Sequence, residues 1–415
     1  MNAERLAQLL NERLGLAKVA AVVLWATWLV SLVIGGGMYP NDKLVGIDHL
    51  AFYSAARLVT EGQGARAYDY NYLAAYQTEL GSRGYLDAYR NPPFYALLYV
   101  PTARLPYAVS FWTWTAVSLL ALWFGLRWLG SSRPAAAFVW AMAFYPVFAT
   151  VSFGQNSLLS FAVFALTFHL LERNRPFAAG LSAGLLLYKP QLLLCLGFWW
   201  LLDLRHYWQA LVGLTVTGLA LLAVSVVVLS EETQEFVRRF REIARYDAFY
   251  FYNLHTPRGF WTLLFGDDKR LGDILGAVSS VIAAGAFVLF WWHYRAERAL
   301  VFAGAVFVTL WASPHTMIYD WSLALVPAMI LWERRPTLRT HWLPLLAAGW
   351  AVLFISTPLS QGQFEWLGGA FQVSVPVLAV LGLLAERILR RATPSAPSGF
   401  TLPRANPSEA VPEGT

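Results

Sequence analysis

Apolar runs of about 20 residues recur along this chain and constrain its fold more than any other feature. An α-helix rises about 1.5 Å per residue, so each run can cross about 30 Å of hydrocarbon. The 415 residues are 57% hydrophobic and 13% charged, whereas a soluble domain carries about a quarter charged residues. The 19 Trp and 19 Tyr residues are typical of side chains at a membrane interface. The sequence therefore predicts an all-α polytopic membrane protein.

The apolar runs predict about twelve transmembrane helices within a single domain, residues 1–391. We place them at about 17–37, 107–128, 134–152, 156–171, 177–189, 190–203, 208–229, 273–292, 299–312, 316–332, 341–358 and 367–386. The first run is too long for the core of a signal peptide and predicts a retained anchor. The short runs flanking Lys189 and Pro190 predict broken helices that line a cavity. The tail, 392–415, is rich in Pro and Ser and is expected to be a disordered cytoplasmic segment.

The short loops separate into a basic set and a set with almost no Lys or Arg. The basic set holds Arg127, Arg133, Arg173, Arg175, Arg205, Arg295, Arg298, Arg334, Arg335, Arg339, Arg387, Arg390 and Arg391. This separation requires that the apolar segment 93–106 does not cross, so we predict an interfacial helix there. Arg90, just before it, could contact a lipid head group. Because basic loops stay inside, we expect both termini in the cytoplasm of a bacterial inner (plasma) membrane.

Two long loops then lie on the opposite, outer face, at about 38–107 and 230–272. The first contains IDHLAFYSAARLV, whose apolar residues have helical spacing. The second contains EFVRRFREIARYDAFYFY, which is basic on one side and aromatic on the other. Such a helix is expected to lie in the plane of the membrane interface. The single cysteine, Cys195, excludes an intrachain disulfide and a cysteine-based metal cluster.

Asp48 is the candidate catalytic base, at the start of the first outer loop. A lower dielectric at a membrane boundary raises a carboxyl pKa, which suits a general base near neutral pH. The alternative is an N-cap for a helix over His49–Val59. Tyr53 and Arg57 are expected on the same helix face as His49. Arg57 is a candidate ligand for a donor phosphate, and His49 and Tyr53 are candidate sugar- or acceptor-binding residues. A solvated helix face is the alternative.

Two outer turns carry further polar side chains. In FGQNS, Gln155 and Asn156 offer donors and acceptors suited to sugar hydroxyls, although a polar turn closing a hairpin has the same composition. In YKPQ, Lys189 lies between two apolar runs, where a lysine is costly without a partner. It could bind an anionic substrate or Asp48, with Gln191 as a sugar-binding candidate beside it. A snorkelling interfacial lysine is the alternative.

Two later motifs complete the outer face. NLHTPRGFW contains Asn253, a candidate sugar-binding residue, and Arg258, a candidate phosphate ligand; ordinary turn chemistry is the alternative. SPHTMIYDW places His315 and Tyr319 four residues apart, which predicts one face of one helix. His315 could donate to a phosphate, and Tyr319 and Asp320 are sugar- or acceptor-binding candidates. Alternatively, Asp320 is a buried structural acid that holds a helix terminus or His315.

These polar groups suggest a transfer reaction at the outer face. That face has no supply of ATP or nucleotide sugars, so a transferase there needs a donor that has crossed already, such as a polyprenyl-phosphate sugar. A carboxylate would accept the acceptor's proton, cations would stabilise the departing phosphate, and polar side chains would orient the sugar. No Walker loop, HExxH motif, nucleophile elbow or zinc-spaced Cys/His set occurs in the sequence, and no cofactor is expected.

Six stretches in order resemble glycosyltransferase family 87 over about residues 20–335: IDHLAFYSAARL, NPPFYALLYVPTARLP, FGQNS, RPFAAGLSAGLLLYKPQ, NLHTPRG and SPHTMIYD. The resemblance implies a GT-C fold and a metal-independent, inverting transfer from polyprenyl-phosphate mannose or a related sugar to a glycolipid or glycan. It also implies that Asp48 takes the catalytic acid position, His315 the histidine position near the donor phosphate, and Lys189 the lysine of KPQ. His49 departs from the commonest form, Asp-Phe.

Two other function classes stay open. A twelve-span secondary transporter could use Lys189 and Asp320 as coupling sites. A flippase or non-catalytic subunit could bind the lipid-linked sugar phosphate without transferring it. A transporter would place its polar groups near the bilayer midplane, whereas the polar motifs here are predicted at one face.

Overall fold

The computed structural model describes residues 3–34, 45–82, 86–244, 250–266, 268–367 and 369–392, with side chains described from residue 13 onward. These residues form α-helices, short 3-10 turns and one π-turn, and they contain no β-strand. The predicted all-α class is confirmed. The predicted disordered tail lies outside the described residues, except Ala392, which ends the last helix.

The helices fall into five groups along the chain. The first group is α1 (Ala3–Ile34) alone. The second is α2 (Ile47–Thr60), α3 (Tyr70–Gln77), α4 (Pro93–Ala96) and α5 (Val100–Ala103). The third is α6 (Tyr107–Trp128), α7 (Pro134–Met142), α8 (Tyr145–Phe153), α9 (Ser157–Glu172), α10 (Pro176–Gly184), α11 (Leu194–Leu202) and α12 (Leu204–Val228). The fourth is α13 (Ser230–Arg238), α14 (Phe240–Ala244) and α15 (Pro257–Phe265). The fifth is α16 (Lys269–Tyr294), α17 (Arg298–Ala312), α18 (Leu325–Arg334), α19 (Arg339–Leu367) and α20 (Ser374–Ala392).

Single turns connect several of these helices. The 3-10 turns are Gly64–Tyr68, Leu185–Tyr188, Pro190–Leu193, Phe251–Asn253, Ile318–Ala324 and Pro336–Leu338, and the π-turn is Thr78–Ser82. The helical run before Lys189 therefore ends in a 3-10 turn, and Pro190 opens another. The prediction of broken helices on both sides of Lys189 is confirmed.

Five helical segments in the described part of the chain are long and apolar enough to cross a membrane: Arg13–Ile34, Tyr107–Trp128, Leu204–Val228, Lys269–Tyr294 and Pro336–Leu367. A sixth crossing results if α7 and α8, which meet at 71°, form one broken span. Four more apolar segments have only 10–17 residues: α9, Pro176–Tyr188, Pro190–Leu202 and α17. Most of each predicted span overlaps a helix, although residues 35–37 and 368 lie outside the described part. The number twelve is not confirmed, because several helices are too short for a full crossing.

Proline causes the bend between α7 and α8. Pro146 has no N–H to donate to the carbonyl of Met142, so a continuous helix cannot form there. Two tryptophans satisfy carbonyls at the break: Trp25 Nε1 donates to Met142 O at 2.9 Å, and Trp350 Nε1 donates to Ala143 O at 2.8 Å. These bonds let a broken helix exist inside an apolar bundle and attach α1 and α19 to it.

The basic loops meet at one end of the bundle. The amide and hydroxyl of Ser132 both donate to Glu333, at 3.0 and 3.1 Å. Arg298 donates to the carbonyl of Leu171 at 2.7 Å. The ion pairs Arg334–Glu172 and Arg335–Glu297 join the same loops. This geometry confirms that loops grouped by their arginines share one end.

The two predicted outer loops pack on each other. The ring of Phe236 on α13 lies 5.4 Å from that of Tyr68, and Arg239 pairs with Asp69 at 3.5 Å. The amphipathic helix predicted in the second loop is α13 and α14, with residues 245–249 outside the described part. The single interfacial helix predicted at 93–106 is wrong: α4 and α5 are separate turns of four residues. Pro101, inside α5, lacks the N–H that a continuous helix would need there.

Candidate active site

Asp48 lies in the first turn of α2 and does not cap it. The N-cap is Gly46, whose φ of 68° is left-handed, and no side chain caps the helix. Glycine suits this position because a Cβ would lie 2.3 Å from the ring of Phe111. The N-cap interpretation of Asp48 is therefore wrong, since the helix starts one residue before it, at Ile47. The Asp48 carboxylate makes no capping hydrogen bond and can therefore accept hydrogen bonds from other groups.

Gln155 is the partner of Asp48. Its Nε2 donates to Asp48 Oδ2 over 2.7 Å. The turn that carries Gln155 follows α8, which ends at Gly154 with a φ of 71°. A Cβ on Gly154 would lie 2.5 Å from Cβ of His49, so the turn and α2 are in direct contact. Glycine at this one position brings the amide within hydrogen-bonding distance of the carboxylate.

The surroundings of Asp48 make it an unusually strong base for an aspartate. Burial raises its pKa from 3.8 to about 6. The hydrogen bond from Gln155 and the positive charges of Arg90 and Lys189 oppose that rise, while the negative charge of Asp320 adds to it. Its carboxylate is thus ionised at neutral pH and binds a proton more tightly than an exposed aspartate. A general base needs these two properties together.

Lys189 and Asp320 form a buried ion pair next to this site. Lys189 Nζ lies 2.8 Å from Asp320 Oδ1, and the two side chains are 13% and 3% exposed. Ser157 donates to Asp320 Oδ1 at 2.7 Å, and the amide of Met317 donates to Oδ2 at 3.2 Å. Asp320 therefore holds the start of the 3-10 turn Ile318–Ala324, as its structural interpretation predicts. The direct partner of Lys189 is Asp320 and not Asp48.

His315 lies in an extended segment, so the prediction that it shares a helix face with Tyr319 is wrong. Helical structure resumes only at Ile318, after Pro314. The cause is pairing with the second outer loop: Met317 forms an antiparallel bridge with Leu254, and the amide of His255 donates to Thr316 O at 3.0 Å.

The electrostatic surroundings of His315 keep its ring neutral. Burial, together with the positive charges of Arg90, Lys189 and Arg258, holds its pKa well below the usual range. The imidazole can therefore act as an N–H donor but not as a cation.

His255 anchors the NLHTPRG motif. Its ring is fully buried, with Nδ1 2.7 Å from Ser374 Oγ and Nε2 2.9 Å from Thr357 Oγ1. Its carbonyl accepts from Trp321 Nε1 at 3.2 Å. One residue thus ties the second outer loop to α19, to α20 and to the turn after His315. Three residues on, Arg258 pairs with Asp273 at 2.6 Å.

The sequence model of glycosyltransferase family 87 matches residues 89–314, more than half of the chain. The chain belongs to glycosyltransferase family 87. No curated protein and no solved structure matches it. The matched region contains Arg90, Gln155, Lys189 and Arg258, and it ends one residue before His315. With its long apolar helices, this member of family 87 is a membrane glycosyltransferase.

Three candidate residues of the family 87 enzyme lie on an aromatic face of α2. His49 and Tyr53 are buried, and the His49 ring lies 5.6 Å from Tyr107 and 5.9 Å from Phe111. Arg57 donates to Tyr53 Oη at 3.1 Å. The prediction that His49, Tyr53 and Arg57 share a face is confirmed, but that face packs on α5 and α6. A sugar could touch His49 only if these rings moved.

Four candidate binding residues remain to be placed: Arg57, Asn156, Asn253 and Gln191. Arg57 also pairs with Glu61 at 3.1 Å, and its side chain is 37% exposed, which favours the solvated-face interpretation. Asn156 is fully buried, and its side-chain amide lies beside the hydroxyl of Tyr95. Asn253 and Gln191 are half-buried in 3-10 turns. Sugar binding by Asn156, Asn253 and Gln191 stays a prediction.

Sequence reasoning missed Asp87 and gave Arg90 no part in the site. The positive charge of Arg90 acts on Asp48, Asp87 and His315. The only signal in the sequence is an acid and a base three residues apart before Pro92-Pro93. In the described part of the chain, no group of three or more His, Cys, Asp or Glu is arranged to hold a metal ion.

Proposed function

We propose that this enzyme transfers a hexose, with mannose as the first choice, from a polyprenyl-phosphate donor to a glycolipid or glycan acceptor, with inversion. The observation that carries the proposal is Asp48: a carboxylate of raised pKa that is hydrogen-bonded to Gln155 and feels the positive charges of Arg90 and Lys189. A base of this strength next to cations suits the attack of a hydroxyl on a sugar whose leaving group is a phosphate.

The reaction needs one base and one stabilised leaving group. Asp48 accepts the proton of the acceptor hydroxyl while that oxygen bonds to C1 of the sugar. The C1–O bond to the phosphate breaks, and its electron pair leaves with the lipid phosphate. Because the displacement is single, the configuration at C1 inverts and no second carboxylate nucleophile is required.

The departing phosphate gains negative charge, which the proposed donor side of the site would stabilise. Arg90, Lys189 and Arg258 all act electrostatically on His315, so three cations and a neutral N–H donor share one region where a phosphate could bind. The neutral ring of His315 would donate its N–H to a phosphate oxygen. No cofactor takes part in this scheme, and the lipid-linked sugar is the co-substrate.

The basic loops support the proposed sidedness of the site. Asp320, Lys189 and Ser157 lie at the ends of helical segments whose other ends carry Arg334, Arg175 and Arg173. With the basic end in the cytoplasm of a bacterial inner membrane, the site faces outward. A lipid-anchored donor is the form in which an activated sugar reaches that face.

The transporter alternative gains no support from the Lys189–Asp320 pair. A coupling site must exchange partners during transport, whereas Asp320 is also held by Ser157 and by the amide of Met317. A flippase would share the binding of a lipid phosphate but would transfer no sugar. Family membership favours transfer.

The deciding experiment uses the purified full chain with polyprenyl-phosphate mannose and membrane lipid extract. Mass spectrometry should detect a hexose added to an acceptor, and NMR of the product should give the inverted anomer. Asp48→Asn should abolish the product without lowering the melting temperature, because it removes a buried charge. The matched control is Asp203→Asn at the basic end, which should leave the rate unchanged. Full activity of Asp48→Asn would remove Asp48 as the base, and proteoliposome uptake without product would favour a transporter.

A further inference from the structure

Hydrogen bonds through Gln77 connect the backbone of Asp87 to α2, the helix that carries Asp48. Its amide donates to Gln77 Oε1 and its carbonyl accepts from Gln77 Nε2, both at 2.9 Å. The same Nε2 donates to Ser54 Oγ on α2 at 3.0 Å, and Gln77 is fully buried. The backbone amide of Ala51, three residues after Asp48, lies beside the Asp87 carboxyl group. Loop 86–90 is thus held at a fixed place along α2.

The carboxyl group of Asp87 carries an unused polar atom. Its Oδ2 is buried and has no hydrogen-bond partner. An unsatisfied buried oxygen costs free energy, so such atoms occur where a ligand or a proton completes them. The titratable and charged groups that face Asp87 are Asp48 on α2, Arg90 in its own loop and Tyr319 in the turn Ile318–Ala324. All three belong to the candidate active site.

We propose that Asp87 is a substrate-binding residue, whose buried carboxyl group holds a hydroxyl of the sugar or of the acceptor beside Asp48. A carboxyl group next to the base would fix the direction of that hydroxyl and would remain in place through the reaction. This inference rests on the proposed transfer reaction. It adds a residue that neither the sequence motifs nor the family match identifies.

Asp87 performs this role as a neutral acid. Burial raises its pKa well above the usual range, the charge of Asp48 raises it further, and Arg90 and the Ala51 amide oppose the rise. Two neighbouring carboxyl groups avoid ionising together, so Asp48 is the carboxylate and Asp87 keeps its proton. The Asp87 O–H then donates to a substrate hydroxyl oxygen, while Asp48 remains free to accept the acceptor's proton.

The test compares Asp87→Asn with Asp87→Ala in the full chain. Asn fills the same volume and supplies an N–H donor, so kcat/KM near pH 7 should stay within about threefold of wild type. Ala removes the donor and should lower kcat/KM by about 10- to 100-fold. A rise confined to the KM of the donor assigns the bound hydroxyl to the sugar, and a rise confined to the KM of the acceptor assigns it to the acceptor. Glu79→Gln, which neutralises an exposed carboxylate in the nearby π-turn Thr78–Ser82, is the control.

The pH profile and infrared spectra separate substrate binding from a structural role. Wild type should lose activity at alkaline pH, where Asp87 ionises beside Asp48, and Asp87→Asn should keep it. Wild type should also have the C=O stretching band of a protonated carboxyl group, which Asp87→Asn lacks. Wild-type activity of a folded Asp87→Ala, or an Asp87→Asn as inactive as Asp87→Ala, would overturn the inference. If wild type transfers no sugar from polyprenyl phosphate, the proposed function fails, and the infrared band still tests Asp87 separately.

Discussion

Gln155 Nε2 and Asp48 Oδ2 lie 2.7 Å apart, although the two residues are separated by 107 positions in the chain. The hydrogen bond stabilises the ionised carboxylate and lowers its pKa, while burial raises it. The turn after α8 therefore limits the rise in pKa that burial causes at the candidate catalytic residue. Under the proposed function, the polar turn FGQNS would act through the pKa of Asp48 even without touching a sugar.

The first prediction concerns the pH dependence of transfer. Asp48 acts only when deprotonated, so kcat/KM should fall as pH drops through about 6. Gln155→Ala removes a hydrogen bond that favours the carboxylate, so the pKa of Asp48 should rise. Hydrogen bonds to charged groups contribute about 1.5–3 kcal/mol, which moves the acid limb upward by about one to two pH units. Initial rates between pH 4 and pH 9 measure this shift.

Ser152→Ala on α8 is the control for that shift, since the Ser152 hydroxyl donates to the carbonyl of Ala149 in its own helix. Its acid limb should coincide with that of wild type. If the acid limb of Gln155→Ala stays at the same pH or moves to lower pH, the Gln155 amide does not stabilise the ionised form of Asp48.

The second prediction concerns the buried pair Lys189–Asp320. Lys189→Met leaves Asp320 charged in a site where it is 3% exposed. Breaking a buried pair in this way costs about 3–5 kcal/mol. The double variant Lys189→Met/Asp320→Asn should regain most of that stability, because Asn can still accept from Ser157. Its transfer rate should remain low, because the cation near the donor phosphate is missing.

Thermal unfolding in detergent and the transfer assay measure these two effects separately. Arg238→Met is the control: Arg238 pairs with Glu235 at the same short range, 2.7 Å, but it is 70% exposed. Its melting temperature should stay at the wild-type value, because solvent screens an exposed pair. A double variant no more stable than the single one would show that uncompensated charge is not the cause.

The parts of this structure that the sequence predicts depend on local patterns. The apolar run 107–128 is α6 to the residue, because twenty-two residues that are mostly apolar or aromatic and include no proline leave one reasonable helix. Helical spacing in IDHLAFYSAARLV predicts α2 equally well. The arginines predict correctly which loops share one end of the bundle, because the charge of a loop depends on the side of the membrane that it faces and not on tertiary contacts.

The parts that it does not predict depend on partners far along the chain. Asp320 meets Lys189 across 131 positions, and nothing in either motif indicates the other. The pairing of His255 with Thr316 turns a predicted helix into an extended segment. Asp87 belongs to no recognisable motif, and the hydrogen bonds of Gln77 to its backbone and to Ser54 bring it to α2. Such contacts have no signal in a single sequence.

The third prediction concerns acid stability. Burial lowers the pKa of His255 to about 3, so below pH 6.5 the unfolded chain binds a proton that the folded protein excludes. Its stabilising contribution is complete above pH 6.5 and is lost as pH falls towards 3, by about 1.4 kcal/mol per pH unit. His49, whose pKa is also lowered to about 3, adds the same slope. The raised pKa of Asp48 opposes them below about pH 6.

Denaturant unfolding in detergent at pH 4.5 to 7, in steps of about half a unit, measures this slope. His255→Gln should reduce it by one proton while lowering stability at pH 7, since Ser374 and Thr357 lose an ideal partner. His206→Gln is the control, because the ring of His206 is 72% exposed at the basic end. An unchanged slope in His255→Gln would contradict a neutral, buried His255.

The last prediction uses two glycines with the same backbone angle. Gly154 and Gly62 both have a φ of 71°, so alanine at either position is strained by about 1–2 kcal/mol. At Gly62 a Cβ meets nothing within 4 Å, whereas at Gly154 it would lie 2.5 Å from Cβ of His49. Both variants should therefore melt at lower temperature than wild type. Only Gly154→Ala should also push the turn away from α2, separate Gln155 from Asp48 and lower kcat/KM by at least about tenfold. Equal rates in the two variants, measured well below their melting temperatures, would mean that the close approach of Gly154 to α2 does not position the base.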